Sequence, residues 1–240
     1  MEISNLKVYD MEECISASGY PMRTKAEILP LNEKDILRVK NLTKASNGNN
    51  AHGQFLSGIL VAFDLKCSNK MWVEMERYKF VVFDSSQSTM HRICKFDLKA
   101  QCVEEVDDRI IDIVNEKIEA YNQDNSIENY RKVLYNVPAG FQLTARLNTN
   151  YRALLNIYVQ RHNHRLKEWQ DFCQYMLDNL PMFKELVEQY YSHDREVIAK
   201  YLQYCAGLED DIDIFDTHTL DDYYYTHILP QPLSDIITIE

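Results

Sequence analysis

Apolar and polar residues alternate from Ile3 to Tyr9, a period of two that predicts an opening strand. Asn32 then stands at the head of a helix reaching about Leu42, with Ile36, Val39 and Leu42 recurring at helical spacing. The turn-forming run Lys44 to Ala51 predicts a loop. Ile59 to Lys66 is short and rich in β-branched and aromatic residues, which predicts a buried strand. Ser68 or Asn69 caps an expected helix to about Phe80. A longer helix is expected from Asp107 to Tyr121, with Ile110, Ile111, Ile113, Val114 and Ile118 as its apolar face. Alternation returns at Phe141 to Leu147, and helical spacing follows over Asn150 to Arg161, Leu166 to Asn179 and Met182 to Tyr204. Pro181 stands where a helix must stop or restart. This irregular order of strands and helices predicts an α+β fold, a mixed sheet with flanking helices.

The Asn150–Arg161 stretch carries an anomaly. At about 100° per residue, Leu154, Ile157 and Tyr158 share a face, and Arg161 falls on it too, while Arg152, Asn156 and Asn163 lie opposite. An arginine on an apolar face either snorkels at a helix end or is a buried cation. A buried guanidinium without an anionic or carbonyl partner costs several kcal/mol, and a ligand is one partner that would serve.

Composition narrows the partners. The 240 residues hold 26 Lys+Arg against 37 Asp+Glu, a formal charge of -11, which disfavours non-specific binding to a nucleic-acid polymer but allows a local pocket for a small anion. The last stretch, Gly207 to Glu240, is acidic and tyrosine-rich, so the chain divides into residues 1–206 and a C-terminal extension, 207–240. The longest apolar run, Ile59 to Phe63, is far short of the roughly 18–20 residues that span a bilayer. Six scattered cysteines with no C-x-x-C pair suit reduced thiols, and the expected location is cytoplasmic.

Few common reaction motifs are present. There is no Walker A loop, no G-x-G-x-x-G and no G-x-S-x-G elbow. His162 and His164 form an H-x-H pair without an acidic or cysteine ligand at metal-like spacing, so no metal site is expected. Lys70 to Arg92 is richer: Arg77, Lys79 and Arg92 stand near Ser85, Ser86, Ser88 and Thr89, with Glu74, Glu76 and Asp84 among them. Cations with hydroxyls and loop amides suit a phosphate or an anionic ring; the alternative is a solvated helix face with Glu–Lys pairing.

The order of these segments resembles the flavin-dependent thymidylate synthases, from about Glu33 to Pro181. His52 precedes an apolar strand, a helix ends in Arg77, and a serine-bearing loop follows. Farther on, Arg131 precedes Leu134, and Asn150, Arg152, Leu154, Asn156 and Arg161 match the family's Asn-x-Arg-x-Leu-x-Asn with its later arginine. The resemblance implies a homotetramer with active sites between subunits. It also implies FAD as cofactor, with methylenetetrahydrofolate and NADPH as co-substrates in converting dUMP to dTMP. Carried onto this chain, it places His52, Arg77, Tyr78, Lys79, Asn150, Arg152 and Asn156 at the flavin. Glu74, Arg77, Ser88, Arg131 and Arg161 would meet the nucleotide, and Arg161 and Ser88 would be catalytic.

The nucleotide side departs from the family pattern. Arg77-Tyr78-Lys79 replaces Arg-His-Arg, Glu74 replaces a glutamine, and Asp84-Ser85 replaces Asn-Glu. A carboxylate beside a nucleotide phosphate repels it. The resemblance therefore admits a methyltransferase on dUMP, a flavin-fold relative acting on another nucleotide, or a binding or assembly protein. In the last, Arg152 and Arg161 pair with the chain's own carboxylates.

Overall fold

The computed structural model describes residues 1–47 and 51–192. The chain opens with β1 (Glu2–Tyr9), α1 (Met11–Ala17) and α2 (Glu33–Ala45), then β2 (Leu60–Ser68), α3 (Asn69–Met75) and β3 (Val82–Ser86). A helical excursion follows: α4 (Thr89–Arg92), α5 (Leu98–Gln101), α6 (Asp108–Gln123) and α7 (Ile127–Leu134). The chain returns through β4 (Gln142–Asn150) into α8 (Tyr151–Arg161) and α9 (Lys167–Asn179), and residues 183–192 are helical. The expected helix beyond residue 192, the 207–240 extension and Cys205 lie outside the described residues.

The strands form one sheet in the order β1-β2-β4-β3. Every pairing is antiparallel, which corrects the expectation of a mixed sheet. The reason lies in the long excursion between β2 and β4. Ser68 pairs with Gln142, and the amides of Asn69 and Lys70 donate to the carbonyls of Phe141 (2.9 Å) and Ala139 (3.0 Å). The chain thus leaves and re-enters at the same end of the sheet, so β4 must run back along β2.

Pleating sorts the two faces. Val61, Phe63, Leu65 and Cys67 of β2, with Ala145 and Leu147 of β4, point into a core closed by Met71 and Trp72 of α3, Leu154 and Ile157 of α8, and Trp169 and Phe172 of α9. On the other face Arg146 bonds Asp64 at 3.2 Å and the Asn5 carbonyl at 3.1 Å. A second cluster unites Ile93, Leu98, Ile111, Val114, Ile118, Val133 and Phe141 in the excursion. There α6 buries a seam narrower than expected. Ile111, Val114 and Ile118 are inside, whereas Ile110 and Ile113 are exposed, because α6 is covered along one line of i, i+3, i+7 positions.

One boundary moved for a tertiary reason. The helix expected to reach Phe80 stops at Met75, and residues 76–81 form turns that lead into β3, whose Val82 and Phe83 pair with Asn148 and Leu147. Asn32 caps α2 as expected. Its side chain accepts from Lys34 and Asp35, and Asp35 accepts from the Asn32 amide at 3.1 Å, a reciprocal box.

Candidate functional site

Beta strand β4 ends where α8 begins, and Asn150 serves both elements. Its Oδ1 accepts from the Ala153 amide at 2.9 Å, capping α8, so its side-chain amide NH2 is what it can offer a ligand. Asn150, Arg152 and Ala153 of this first helical turn line a cavity of about 670 Å³. The opposite wall is the turn after α3, with Arg77, Tyr78, Lys79 and Phe80. A third wall is the 3-10 turn Ala51–Ser57, which supplies Gly53, Gln54, Leu56 and Ser57. Gly53 is required there: a Cβ on it would lie 2.8 Å from the Ser46 Cβ.

The cavity's electrostatics follow from this layout. Arg77, Lys79 and Arg152 are cations, and the positive end of the α8 dipole opens at the same place. Arg152 Nη1 donates to Gln54 Oε1 at 2.8 Å, which ties the α8 wall to the 51–57 wall. Along α8, Arg152, Leu155, Asn156 and Val159 form one stripe facing the cavity. Helical spacing from Arg152 and Asn156 would have found Leu155 and Val159. Gln54, Ser46, Ser57 and Tyr190 carry no such signal, because only the folding of distant segments brings them here.

The other expected site residues fall outside this lining. His52 is exposed on the 51–57 turn. Ser88 and Arg131 belong to the helical excursion, where the Tyr130 hydroxyl donates to the Met90 carbonyl at 2.7 Å and so draws α7 to the segment after β3. Glu74 and Arg161 lie one layer behind the wall. Arg161 Nη1 donates to Glu74 Oε2 at 2.9 Å, and its Nε donates to the Tyr78 hydroxyl at 2.8 Å. Its guanidinium carbon lies 5.1 Å from the Trp169 ring centroid. The arginine on the apolar face of α8 is therefore a half-buried cation with a carboxylate partner inside the chain.

Glu74 collects further partners: Trp169 Nε1 at 3.1 Å, Lys70 Nζ at 3.0 Å and His164 Nε2 at 3.5 Å. Burial pushes its carboxyl pKa up, but hydrogen bonds from Lys70 and Trp169, with the charges of Lys70 and Arg161, prevail and hold it below its ordinary value. Nearby, burial pushes the Cys173 thiol up to about 12, so it stays un-ionised near neutral pH. Among the described residues no group of three His, Cys, Asp or Glu could hold a metal ion, and no helix is long and apolar enough to cross a membrane.

No protein-family profile matches the chain, and no curated protein matches it by sequence. Solved structures do. A flavin-dependent thymidylate synthase, ThyX, from Helicobacter pylori, complexed with FAD and dUMP, superposes with a TM-score of 0.62 at 16% identity, over 78% of this chain and 97% of that one. A second structure of ThyX from Helicobacter pylori with FAD and dUMP gives 0.60 at 16% identity, over 79% and 99%. The UMP/dUMP methylase PolB from Streptomyces cacaoi, bound with 5-Br dUMP, gives 0.56 at 12% identity, over 81% and 97%. At these identities the likeness establishes the fold: the chain has a ThyX-like α+β architecture.

Proposed function

We propose that this chain is a flavoprotein acting on a nucleoside monophosphate, with FAD in the cavity between α8 and the turn after α3. The observation that carries this reading is the meeting of Arg77 and Lys79 with Asn150, Arg152 and Asn156 around one cavity at a helix N-terminus. That donor set fits the cofactor. Three cations and a helix dipole suit a diphosphate, amide side chains suit ring edges, and Tyr78, Phe80 and Tyr190 supply aromatic surface for planar rings. The volume is within the roughly 300–1,000 Å³ common for ligand sites. FAD, when bound, supplies hydride transfer. The residues of this chain bind and orient it.

The particular reaction in this reading is methylation of dUMP to dTMP, with methylenetetrahydrofolate as carbon donor and NADPH as reductant. Ser88 and Arg131 would serve the nucleotide from the helical excursion, and sites would form between subunits of a homotetramer. Arg161 meets a uracil edge only if Glu74 releases it. One feature favours the alternative of a binding or assembly protein: Arg161 is already paired with Glu74 at 2.9 Å.

The test is direct. The purified full chain should show visible flavin absorption, or take up FAD in proportion to protein, at a mass several times that of one chain. Tritium should then leave the 5-position of labelled dUMP when folate and NADPH are added. A colourless protein that takes up no FAD ends the reading in favour of the alternative. Flavin uptake without tritium release moves the substrate to another nucleotide.

A further inference from the structure

We infer that Glu74 and Arg161 are positioning residues, which act through the Tyr78 hydroxyl to fix the turn that aims Arg77 and Lys79 at the cavity. This rests on the reading of that cavity as an FAD site.

The turn needs such a support. Helix α3 ends at Met75, and β3 does not begin until Val82. Between them, among the described residues, the backbone bonds are all short-range: Glu76 N to Trp72 O at 3.0 Å, Arg77 N to Glu74 O at 3.4 Å, Tyr78 N to Met75 O at 3.0 Å and Val81 N to Tyr78 O at 3.0 Å. Arg77, Lys79 and Phe80 are exposed, and among the described residues neither cation forms an ion pair. Tyr78 alone of the four wall residues reaches inward. Its hydroxyl accepts from Arg161 Nε at 2.8 Å and donates to Gln160 Oε1 at 3.0 Å. Its ring meets Trp169 edge-on, with centroids 5.9 Å apart.

Arg161 is suited to carry this restraint. A guanidinium presents separate donors in a rigid plane, so Nη1 can hold Glu74 while Nε holds Tyr78; an ammonium is a single point of charge. Glu74 is held in turn by Trp169 of α9 and by Lys70. The continuous path is α9 to Glu74 to Arg161 to Tyr78, and Tyr78 lies in sequence between the two cations. Arg161 is paired with Glu74 behind the wall, and Arg77, Lys79 and Arg152 are the cations that line the cavity.

The experiment compares wild type, Glu74→Gln, Tyr78→Phe, Arg161→Lys and the Glu74→Gln/Tyr78→Phe double variant. FAD affinity is measured by titration, and backbone exchange of residues 76–81 by hydrogen–deuterium exchange without ligand. Each single variant is expected to lose about tenfold in FAD affinity and to exchange faster over 76–81, with α8 and the sheet unchanged. The double variant should lose no more than the worse single one, because both changes cut one path; independent structural damage would add. Arg161→Lys should fail to rescue despite its charge. Tyr78→Phe keeps the ring packed and carries the test if Glu74→Gln does not fold. Unchanged affinity and exchange in Glu74→Gln and Tyr78→Phe would overturn the inference, as would additive losses. Tighter FAD binding in Glu74→Gln would also overturn it, since Glu74 would then compete with the ligand for Arg161. No FAD uptake by wild type removes the cavity reading itself, and this inference with it.

Discussion

Asn150 Oδ1 lies 2.9 Å from the Ala153 amide, so the residue that opens the candidate site also starts the helix beneath it. Stability and binding can be separated at this position. Asn150→Asp keeps an oxygen acceptor for the cap, removes the amide donor and puts a negative charge among three cations. Its Tm should stay near wild type while FAD affinity falls by more than about tenfold. Asn150→Ala should lose about 1 kcal/mol of stability as well. Thermal melts and FAD titration on the same samples check both outcomes, and an Asn150→Asp protein that binds FAD normally contradicts the site.

Arg77, Lys79 and Arg152 approach the cavity from two segments far apart in sequence. Each alanine substitution should weaken FAD binding about tenfold or more, in keeping with about 1.5–3 kcal/mol for a charged hydrogen bond. Salt dependence should flatten with each charge removed. Titrations at low and high salt decide it, and equal salt slopes in all variants would place the diphosphate elsewhere.

Thr149 has a buried hydroxyl with no hydrogen-bond partner among the described residues. A buried, unsatisfied hydroxyl is destabilising, so Thr149→Val should stabilise the protein by about 1 kcal/mol, or roughly 2–4 °C in Tm. The change leaves the shape of the side chain nearly intact. A lower Tm would mean that the hydroxyl is satisfied after all.

Asp35 and Glu74 are two carboxylates whose pairing should contribute to stability against acid. Asp35 is buried, and the Arg38 hydrogen bond, at 2.7 Å, is the main cause that holds its carboxyl below the ordinary 3.8; Glu74 is held below its ordinary 4.5. Both bind protons more readily when unfolded, so their contribution is complete above those ordinary values and is lost as pH falls through the lowered ones. Unfolding from about pH 7 to about pH 3 should show stability falling at the acid end, with a shallower fall in Asp35→Asn and Glu74→Gln. Parallel pH curves for wild type and both variants would contradict the linkage.

Helical spacing alone places Leu154, Ile157, Tyr158 and Arg161 on one face of α8 and Arg152 with Asn156 on the other, and the folded chain keeps that division. Such patterns are legible because neighbours three and four residues apart meet whatever the rest of the chain does. The cap at Asn32, the strands around Phe63 and Ala145, and the cations at 77, 79 and 152 are legible for the same local reason. Strand β3 is different. Val82 and Phe83 favour a strand but Asp84-Ser85-Ser86 do not, and the edge of β4 offers the amides and carbonyls with which this segment pairs. The partner of Arg161 is 87 residues away in sequence, and periodicity could say that this cation needs an anion but not which one. Docking α3 onto α9 made that choice, and it also brought the 77–80 turn against α8 to enclose the cavity. Local chemistry set which residues carry charge, cap or pack; long-range packing decided which of them meet.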